Sequence, residues 1–324
     1  MITGGAGFIG SALAWELNRR GCENIVLCDI LGTNEKWRNL TPLRFTDYVE
    51  GADLLPRLQC GALGKFDSVL HLGACSATTE KDATYLIKNN FEFTKDLAVW
   101  SLANQARFVY ASSAATYGDG AGGMDDDVTK LDALRPLNMY GYSKHLFDLH
   151  AKRAGFLNKI VGLKFFNVFG PNEDHKGDMR SLVHKSFTQV QTKGVIQLFK
   201  SYRKEYKDGE SKRDFLYVKD CVAMTLHLAA TPKANGLFNI GSGGARSWLD
   251  LANAVFVALK RKPVIKFIEM PEAIRDKYQY FTQANLMRLN GTGYATPVTS
   301  LENAVNDYVR KYLVPDKRLD PSVP

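Results

Sequence analysis

The sequence predicts an α/β protein, with a doubly wound parallel sheet of the Rossmann type followed by a smaller C-terminal α/β substrate domain. Two observations predict this fold. Short apolar runs alternate with longer amphipathic runs along the chain, as when buried parallel strands alternate with crossover helices. The first apolar run also ends in a glycine-rich turn that opens an amphipathic run, which is typical of folds that bind a dinucleotide.

Each element follows from its own pattern. The apolar runs predict buried strands at 24–30, 67–74, 107–114 and 160–170, and the amphipathic runs predict helices at 11–21 and 85–105. After Gly170 the alternation becomes irregular. The charged run 198–215 is predicted to be a loop, and 236–242 then returns as one more buried strand.

These breaks in the alternation predict two domains. Residues 1–169 would form a nucleotide-binding domain to which 214–243 returns, and residues 170–213 together with 244–324 would form a substrate-binding domain. A chain of 324 residues is long enough for one large domain or two medium ones.

Composition argues against several classes of protein. No apolar run of the sequence approaches the roughly 20 residues needed to cross a membrane, so we expect no membrane association and a cytoplasmic location. The five cysteines lie far apart and lack the paired spacing that binds zinc, so we expect reduced thiols and no metal. The net charge of +8 comes without alternating basic and aromatic residues. We therefore expect an anionic small molecule such as a nucleotide, and no nucleic acid.

The glycine-rich turn lies in "MITGGAGFIGSALAWEL", residues 1–17. Gly4, Gly7 and Gly10 follow one another at three-residue intervals between a predicted strand and a predicted helix. Glycines there let the backbone turn tightly and approach a pyrophosphate, whose charge is met by the amino terminus of the helix. The next strand ends in Asp29, a candidate to hold a ribose hydroxyl. We therefore predict a dinucleotide site.

The residues that follow Asp29 leave the type of dinucleotide open. Asp29 alone suggests NAD, whereas the cations Lys36 and Arg38 suit the extra phosphate of NADP, so NADP is predicted and NAD stays possible. A solvated basic loop explains Lys36 and Arg38 equally well. Asp47, after the next short strand, is a candidate to receive the adenine amino group, although a surface aspartate is nearly as good an explanation.

A tyrosine and a lysine supply candidate acid–base chemistry. Tyr140 and Lys144, in "NMYGYSKHLF", are four residues apart, so on a helix they lie on one face, one turn from each other. An ammonium and a nicotinamide ring near the phenol would lower its pKa, and Tyr140 would then take a hydroxyl proton while hydride leaves the carbon. Ser113 ends the preceding strand and is placed to hydrogen-bond the reacting oxygen, with Ser112 and Thr116 as less well placed rivals.

The glycine turn, the serine at a strand end and the tyrosine–lysine pair together resemble the extended short-chain dehydrogenase/reductase superfamily, over nearly the whole chain. In that superfamily, members with a sugar nucleotide substrate use a bound nicotinamide cofactor for epimerisation, dehydration or reduction. Longer stretches resemble one family in it, the ADP-glyceromanno-heptose 6-epimerases of lipopolysaccharide core synthesis. These stretches are "HLGACSATTE", "NNFEFTKDL", "YASSAATYG", "PLNMYGYSKHLFD", "FFNVFGPNEDHKGDM", "KRDFLYVKD" and "YQYFTQANL".

The resemblance gives Lys176, in "FFNVFGPNEDHKGDM", a second catalytic role. Loss of hydride and a proton from C6 of ADP-D-glycero-D-manno-heptose would give a transient 6-keto sugar, and return from the opposite face requires a second proton donor. A lysine suits this task because partial burial readily lowers its pKa. Without the resemblance, Lys176 would be taken as a solvated loop lysine beside Asp174 and Asp178.

The resemblance also implies further contacts, residue by residue. To the cofactor site it adds Phe8, Ile9, Ile30, Leu72, Gly73, Ala74, Cys75, Ser76, Asn89 and Val168, and it places Lys144 and Lys176 there too. For the substrate it implies Asp178, Lys185, Phe199, Lys200, Ser201 and Tyr278, with Asn167 on the sugar and Arg213 on the diphosphate. Leu72, Asp178 and Lys185 replace an acidic residue, a serine and a histidine of relatives, and the stretch 200–213 is longer than usual.

The resemblance further implies a homo-oligomer, a ring of five subunits in relatives. Two other interpretations stay open. One is a different NAD(P)-dependent nucleotide-sugar epimerase or a dehydratase, although a dehydratase would want an acidic pair just after the serine, and "SSAATYG" has none. The other is a nucleotide- or RNA-binding relative that has lost catalysis, against which the intact Ser113, Tyr140 and Lys144 speak.

Overall fold

The computed structural model describes residues 1–275 and 278–323. The strands of this part of the chain form sheets of seven, three and two strands. In chain order they are β1 (Ile2–Thr3), β2 (Val26–Asp29), β3 (Asp47–Glu50), β4 (Ser68–His71), β5 (Arg107–Ser113), β6 (Val161–Phe165), β7 (Asn167–Phe169), β8 (Ile196–Phe199), β9 (Lys212–Tyr217), β10 (Gly236–Ile240), β11 (Ala245–Ser247) and β12 (Ile265–Ile268).

Helices cover these sheets. The α-helices of the described residues are α1 (Phe8–Arg19), α2 (Gly51–Gln59), α3 (Ala83–Leu86), α4 (Phe93–Ala103), α5 (Met139–Arg153), α6 (Leu182–Lys193), α7 (Val218–Ala230), α8 (Trp248–Ala258), α9 (Glu272–Arg275), α10 (Met287–Asn290) and α11 (Leu301–Tyr308). Two π-helical turns, Ile87–Glu92 and Val309–Leu313, and the 3-10 turns Glu35–Asn39, Ala114–Tyr117, Val128–Ala133, Leu157–Lys159 and Asp174–Met179 complete them. None of these helices combines the length and the apolar character needed to cross a membrane.

The large sheet has the strand order β10-β6-β5-β4-β1-β2-β3, and every neighbouring pair is parallel. This arrangement confirms the predicted doubly wound α/β fold. The order of the strands reverses between β1 and β4, and ligands of such sheets bind in the crevice outside the carboxyl ends of the strands at that reversal. The short β1 pairs with both β2 and β4, so the glycine turn that follows β1 lies at this crevice.

The strand predicted over 160–170 is two strands in the structure. β6 belongs to the large sheet, whereas β7 pairs with β9 in the three-stranded sheet. Between them, Phe166 donates its amide to the carbonyl of Ile240 at the end of β10, 3.0 Å away. The chain therefore changes sheet at the carboxyl edge of the large sheet, and this change places Asn167 and Val168 beside the crevice.

The segment 214–243 contributes α7 and β10, and β10 pairs with β6 through five buried residues. β9 itself lies in the three-stranded sheet, between β11 and β7. The run 198–215, predicted to be a loop, is shorter as a loop because β8 and β9 take its two ends. The limits of the two domains stay a prediction.

The helix predicted over 85–105 contains the π-helical turn Ile87–Glu92, a feature that often marks functional sites. Asn90 in this turn is fully buried. Its side chain accepts the amide of Cys75 and donates to the carbonyl of Cys75, both at 2.9 Å. The turn therefore fixes the backbone that follows β4 at the crevice.

A buried ion pair joins α5 to β6. The Nζ of Lys164 lies 2.9 Å from Oδ2 of Asp148, and both side chains are almost fully buried. Asp148 also accepts hydrogen bonds from the hydroxyls of Tyr110 and Ser112, and Lys164 donates to Thr116. Each charge therefore has several polar partners, which offset the loss of hydration. The pair fastens the helix of the predicted tyrosine–lysine pair to the central sheet.

Lys164→Met should destabilise the protein strongly, because it leaves the carboxylate of Asp148 buried without its cation. We expect the free energy of unfolding to fall by about 3–5 kcal/mol, measured by urea unfolding followed by circular dichroism. Lys152→Met is the matched control, since Lys152 pairs with Asp132 at the surface of the same helix and its loss should change little. An unaltered unfolding midpoint for Lys164→Met would contradict this role of the pair.

Candidate active site

Most of the predicted site residues meet in one cavity of about 850 Å³ at the carboxyl edge of the large sheet. The large sheet contributes residues at or just after the ends of β1, β2, β4, β5 and β6, and the smaller sheets contribute β7 and β8. The predicted residues that line the cavity are Gly4, Gly7, Phe8, Ile9, Gly10, Asp29, Lys36, Leu72, Gly73, Ala74, Cys75, Ser76, Ser113, Tyr140, Lys144, Asn167, Val168, Lys176, Lys185, Phe199 and Tyr278.

The glycine turn has the shape that a pyrophosphate requires. Gly4 has a φ of +66°, in the left-handed region, and a Cβ there would lie 2.6 Å from the amide nitrogen of Gly73. A Cβ on Gly10 would lie 2.1 Å from the carbonyl oxygen of Gly4. Gly7, the N-cap residue just before α1, offers no capping side chain, and the first turn of α1 holds no acidic residue. The amino end of the helix is therefore open to an anion.

Asp29 ends β2 and supports this turn. Its Oδ2 accepts the amides of Ala6 at 2.9 Å and Gly7 at 3.1 Å, and its Oδ1 lies 2.7 Å from Nζ of Lys36. The side chains of Lys36 and Asp29 are both mostly buried. Lys36 therefore lies at the predicted ribose position, and does not belong to a solvated loop.

Arg38 and Asp47 lie at the surface. Arg38 forms an exposed ion pair with Glu35, with 2.6 Å between Nε and Oε2. Asp47 begins β3 and pairs with Arg57 at 3.0 Å. Because β3 is parallel to the other strands, its first residue lies at the amino edge of the sheet, away from the cavity. The adenine contact predicted for Asp47 is therefore wrong, and its interpretation as a surface aspartate holds.

Local packing brings Tyr140 to Ser113. Asn138 caps α5 by accepting the amide of Gly141 at 2.8 Å, and a Cβ on Gly141 would lie 2.8 Å from the carbonyl oxygen of Ala115. Only a glycine lets α5 approach the turn after β5 so closely. Tyr140, next to this glycine, thereby lies near the side chain of Ser113, whose hydroxyl favours a lower pKa for the phenol.

The rivals of Ser113 have other partners. The hydroxyl of Ser112 donates to Asp148 at 2.8 Å. Thr116 donates to the carbonyl of Ser113 at 2.8 Å and accepts from Lys164 at 2.6 Å. Ser113 is therefore the hydroxyl of this group that is placed to face a substrate oxygen.

The pKa values of the pair follow from burial. Burial raises the pKa of Tyr140, and the hydroxyl of Ser113 only partly opposes the rise. Burial lowers the pKa of Lys144 to about 8, against the charge of Asp148. In the polypeptide alone, desolvation therefore has the largest effect on the Tyr140 pKa, and the lowering expected with a bound nicotinamide ring stays a prediction. Lys144 nevertheless stays mostly protonated at neutral pH.

Lys176 lies in the turn Asp174–Met179 and faces the cavity. Its Nζ lies 5.4 Å from the centre of the Phe8 ring in α1. Burial lowers the pKa of Lys176, and the charge of Glu173 opposes this effect. Asp174, which the alternative interpretation placed beside Lys176, pairs instead with His184 and Arg318. The geometry therefore does not support a solvated loop lysine.

Two predicted cofactor residues do not line the cavity. Ile30 exposes 58% of its surface, and its amide donates to Oδ1 of Asp29 at 2.7 Å. The side chain of Asn89 turns back along its own helix and donates to the carbonyl of Tyr85 at 3.1 Å. The next residue, Asn90, instead supports the cavity wall at Cys75. The contact predicted for Asn89 is not present in this conformation, because the π-helical turn directs Asn90 inward.

Three further predicted substrate residues do not line the cavity: Asp178 in the turn Asp174–Met179, and Lys200 and Ser201 in the enlarged stretch 200–213. Asp178 is exposed, and its carbonyl accepts the amine of Lys185. Lys200 pairs with Glu269 at 2.6 Å. Ser201 uses its amide and hydroxyl within its own loop, on Asp208 and Arg203. The side chains of Lys200 and Ser201 are thus occupied by local partners, whereas Asp178 contacts Lys185 through its backbone.

Arg213, predicted on the diphosphate, lies behind the cavity wall. Its guanidinium is buried between the rings of Tyr278, 5.0 Å away, and Trp248, 5.7 Å away. It donates to the carbonyls of Lys212 and Gln279. Burial lowers its pKa. In this conformation Arg213 reaches the cavity only through the two aromatic residues in front of it.

Sequence reasoning missed two prominent residues of the wall. His175 precedes Lys176, and burial together with the cations Lys176 and Lys36 lowers its pKa to about 4, so it is a neutral hydrogen-bonding group at neutral pH. Trp248 donates its indole N–H to the hydroxyl of Tyr278 at 2.7 Å. His175 could have been found from its position next to a predicted catalytic residue. No motif around Trp248 indicated that it would line the site.

Within residues 1–275 and 278–323, no group of three His, Cys, Asp or Glu side chains is placed to hold a metal ion. The residues that converge here are instead those of a nucleotide cradle, a hydroxyl, a phenol and amines. Such a set can bind a dinucleotide and move protons to and from a hydroxyl group beside it.

Comparison with known proteins agrees with this chemistry. Residues 1–241 match the model of the NAD dependent epimerase/dehydratase family. The chain is 52% identical over 314 residues to the ADP-L-glycero-D-manno-heptose-6-epimerase of Nitratidesulfovibrio vulgaris strain Hildenborough, covering 97% of both chains. It is 44% identical over 323 residues to the enzyme of the same name from Fusobacterium nucleatum, again covering 97% of both.

Solved structures agree on the fold. The ADP-L-glycero-D-manno-heptose-6-epimerase of Helicobacter pylori superposes with a TM-score of 0.81 at 27% identity, over 96% of this chain and 94% of that one. A UDP-glucose 4-epimerase of Thermus thermophilus in complex with NAD superposes with a TM-score of 0.74 at 22% identity, over 95% and 96% of the two chains. These similarities confirm the resemblance seen in the motifs. The chain belongs to the NAD-dependent epimerase/dehydratase family and, within it, to the ADP-L-glycero-D-manno-heptose-6-epimerases.

Proposed function

We propose that this chain inverts C6 of ADP-D-glycero-D-manno-heptose through a transient 6-keto sugar, with NADP as cofactor, in the synthesis of the lipopolysaccharide core heptose. The observation that carries the proposal is that Tyr140 and Lys176 face the same cavity as the glycine turn. With one nicotinamide, inversion requires the ketone to present its other face to the returning hydride, which moves the C6 oxygen to a second position. A separate proton-transfer group at each of the two positions would serve this reaction. The two side chains come from separate elements, α5 and the turn Asp174–Met179, as two opposing groups must.

The cofactor proposal rests on the glycine turn and on Lys36. When bound, a nicotinamide dinucleotide supplies the redox chemistry by accepting a hydride from the sugar and returning it. Gly4, Gly7 and the amino end of α1 would hold its pyrophosphate. We favour NADP over NAD because the amine of Lys36, 2.7 Å from Asp29, offsets a carboxylate charge that would otherwise repel a ribose phosphate.

Tyr140 is the proposed proton acceptor on the first face of the carbon. Ser113, which lines the cavity together with the phenol, would hold the sugar oxygen in line with it. Lys144 lies one helical turn along and carries a positive charge at neutral pH, which favours the deprotonated phenol. Burial alone raises the pKa of Tyr140. The positive charges of Lys144 and of the bound cofactor are therefore both required to lower it.

Lys176 is the proposed proton donor on the second face. Burial lowers its pKa, which makes the amine a better proton donor than an exposed lysine would be. In the forward direction the ketone oxygen, formed by transfer of the hydroxyl proton to Tyr140, takes its new proton from Lys176. In the reverse direction the two residues exchange roles.

The sugar nucleotide is proposed to lie along the remaining wall. Asn167, Lys185, Phe199 and Tyr278 line the cavity and are the proposed contacts. Binding of the diphosphate by Arg213 would require its guanidinium to leave the gap between Tyr278 and Trp248. The contacts of Asp178, Lys200 and Ser201 would require the loop region to close. Assembly into a homo-oligomer of five subunits and a cytoplasmic location stay predictions.

Tyr140→Phe should remove most turnover while the cofactor stays bound, because the variant lacks only the phenolic proton. Purified protein is incubated with ADP-D-glycero-D-manno-heptose and NADP, and the two epimers are separated and quantified. We expect the unaltered protein to form both epimers and the variant to be at least about 100-fold slower. Turnover of Tyr140→Phe at the unaltered rate would refute its role, and a lack of conversion by the unaltered protein would refute the proposed substrate.

Lys176→Met should block net epimerisation in both directions, because neither direction can be completed without the second proton-transfer group. The same separation, started from each epimer in turn, measures this. Lys193→Met, at the exposed end of α6, is the control and should retain full activity. Full activity of Lys176→Met would make Lys176 a residue of the cavity wall without a catalytic role.

A further inference from the structure

Three consecutive residues in front of Lys176 are each anchored by their own side chain. They are Asn172, Glu173 and Asp174, and each contacts a different part of the molecule. A turn of this length on a loop would ordinarily be held by its backbone alone. Two of the three anchors involve the segment 314–323, which follows α11. This segment therefore helps to hold the turn.

Asn172 joins the cofactor side of the cavity to the segment 314–323. It is fully buried and has a φ of +77°, in the left-handed region that asparagine tolerates better than most residues other than glycine. Its Nδ2 donates to the hydroxyl of Ser11 in α1, and its Oδ1 accepts the amide of Leu319, both at 3.0 Å. The carbonyl of Asn172 accepts from Asn39, which also donates to the carbonyl of Ala6 in the glycine turn. The backbone at Asn172 is thus held by contacts with α1, with the turn Glu35–Asn39 and with the segment 314–323.

Asp174 forms an ion pair with a residue of the same segment. Its Oδ2 lies 3.3 Å from Nε of Arg318, and its Oδ1 lies 3.1 Å from Nε2 of His184 in α6. Burial would raise the pKa of Asp174, but the hydrogen bond to His184 and the charge of Arg318 together lower it. The carboxylate is therefore ionised at neutral pH, and its ion pair with Arg318 is mostly shielded from solvent.

Glu173 closes the turn onto α6. Its carboxylate accepts the amide and the hydroxyl of Ser181, both at 2.6 Å, and the amide of Gly170 at 3.3 Å. The residues that follow, His175 and Lys176, point into the cavity. Two anchors of the turn, at Asn172 and Asp174, thus depend on the segment 314–323, and the third does not.

We propose that the segment 314–323 fixes the amine of Lys176 at the reacting carbon, with Arg318, Asp174 and Asn172 as positioning residues. The proposal rests on the proposed function. A lysine side chain is long and flexible, and a misplacement of about 1 Å at a reacting group can cost about 100-fold in rate. None of these anchors touches Tyr140 or Ser113, which are held by α5 and β5. Loosening the segment should therefore impair one proton-transfer group and spare the other.

This asymmetry separates positioning from general stability. Oxidation of the D-glycero epimer moves the C6 hydroxyl proton to Tyr140 and a hydride to the oxidised nicotinamide dinucleotide, which leaves the ketone and the reduced cofactor. Oxidation of the L-glycero epimer gives the same products, but its hydroxyl proton moves to Lys176. A protein that is merely less stable would lose both partial reactions equally.

The test uses Arg318→Ala, with Lys317→Ala as the matched control, since Lys317 is the exposed neighbour in the same segment. Reduction of bound NADP in a single turnover is followed by absorbance, started from each epimer in turn. We expect Arg318→Ala to slow the reaction of the L-glycero epimer by about tenfold or more and to leave that of the D-glycero epimer within about twofold. Arg318→Lys should restore part of the loss, and Lys317→Ala should match the unaltered protein. Equal losses with both epimers, or no loss, would overturn the proposal.

A second measurement does not depend on activity. Hydrogen exchange of the amides of residues 174–180 is measured in the full chain of each variant. We expect faster exchange in Arg318→Ala than in the unaltered protein and Lys317→Ala, at an unchanged melting temperature. Unchanged exchange in Arg318→Ala would overturn the positioning role even if the protein converts neither epimer. A lack of conversion by the unaltered protein would instead count against the proposed function.

Discussion

Partial burial of the Lys176 amine, next to the ring of Phe8, is the interaction on which the proposed chemistry depends. An amine in bulk water holds its proton at neutral pH and acts only as a charge. Burial lowers the pKa of Lys176 and keeps the amine beside the glycine turn. The fold must therefore supply a cavity wall that excludes water and a turn that keeps Lys176 in place. We propose that the anchored residues before Lys176 keep the turn in place.

The sheet topology explains why the phenol and the amine can oppose each other. Tyr140 and Ser113 belong to α5 and β5. Asp148 of α5 pairs with Lys164 of β6 and accepts hydrogen bonds from Tyr110 and Ser112 of β5, so it fastens the helix to the large sheet. Lys176 reaches the same cavity from a separate element because the chain leaves the large sheet at Phe166 and enters the three-stranded sheet. An unbroken strand over 160–170 would carry the following turn away from the crevice.

Much of the fold and the centre of the site could be predicted from sequence, because the physical causes are local. Gly4 and Gly10 are required by close backbone contacts, and the four-residue spacing of Tyr140 and Lys144 places both on one helix face. Other features have causes that the sequence does not show. A π-helical turn directs Asn90 inward in the place predicted for Asn89, and Arg213 lies behind Trp248 and Tyr278 because residues distant in sequence pack there. Burial, which the sequence does not show either, raises the pKa of Tyr140 in the polypeptide alone.

The central claim is geometric, since the phenol of Tyr140 and the amine of Lys176 must lie on opposite faces of one sugar carbon. A crystal structure of the protein with NADP and a non-reacting ADP-heptose analogue would test it most directly. We expect the phenol oxygen and the Lys176 nitrogen each to lie within about 3 Å of one of the two positions that the C6 oxygen occupies in the two epimers. A Lys176 amine outside the closed cavity, with Tyr140 alone contacting the sugar, would contradict the two-residue chemistry.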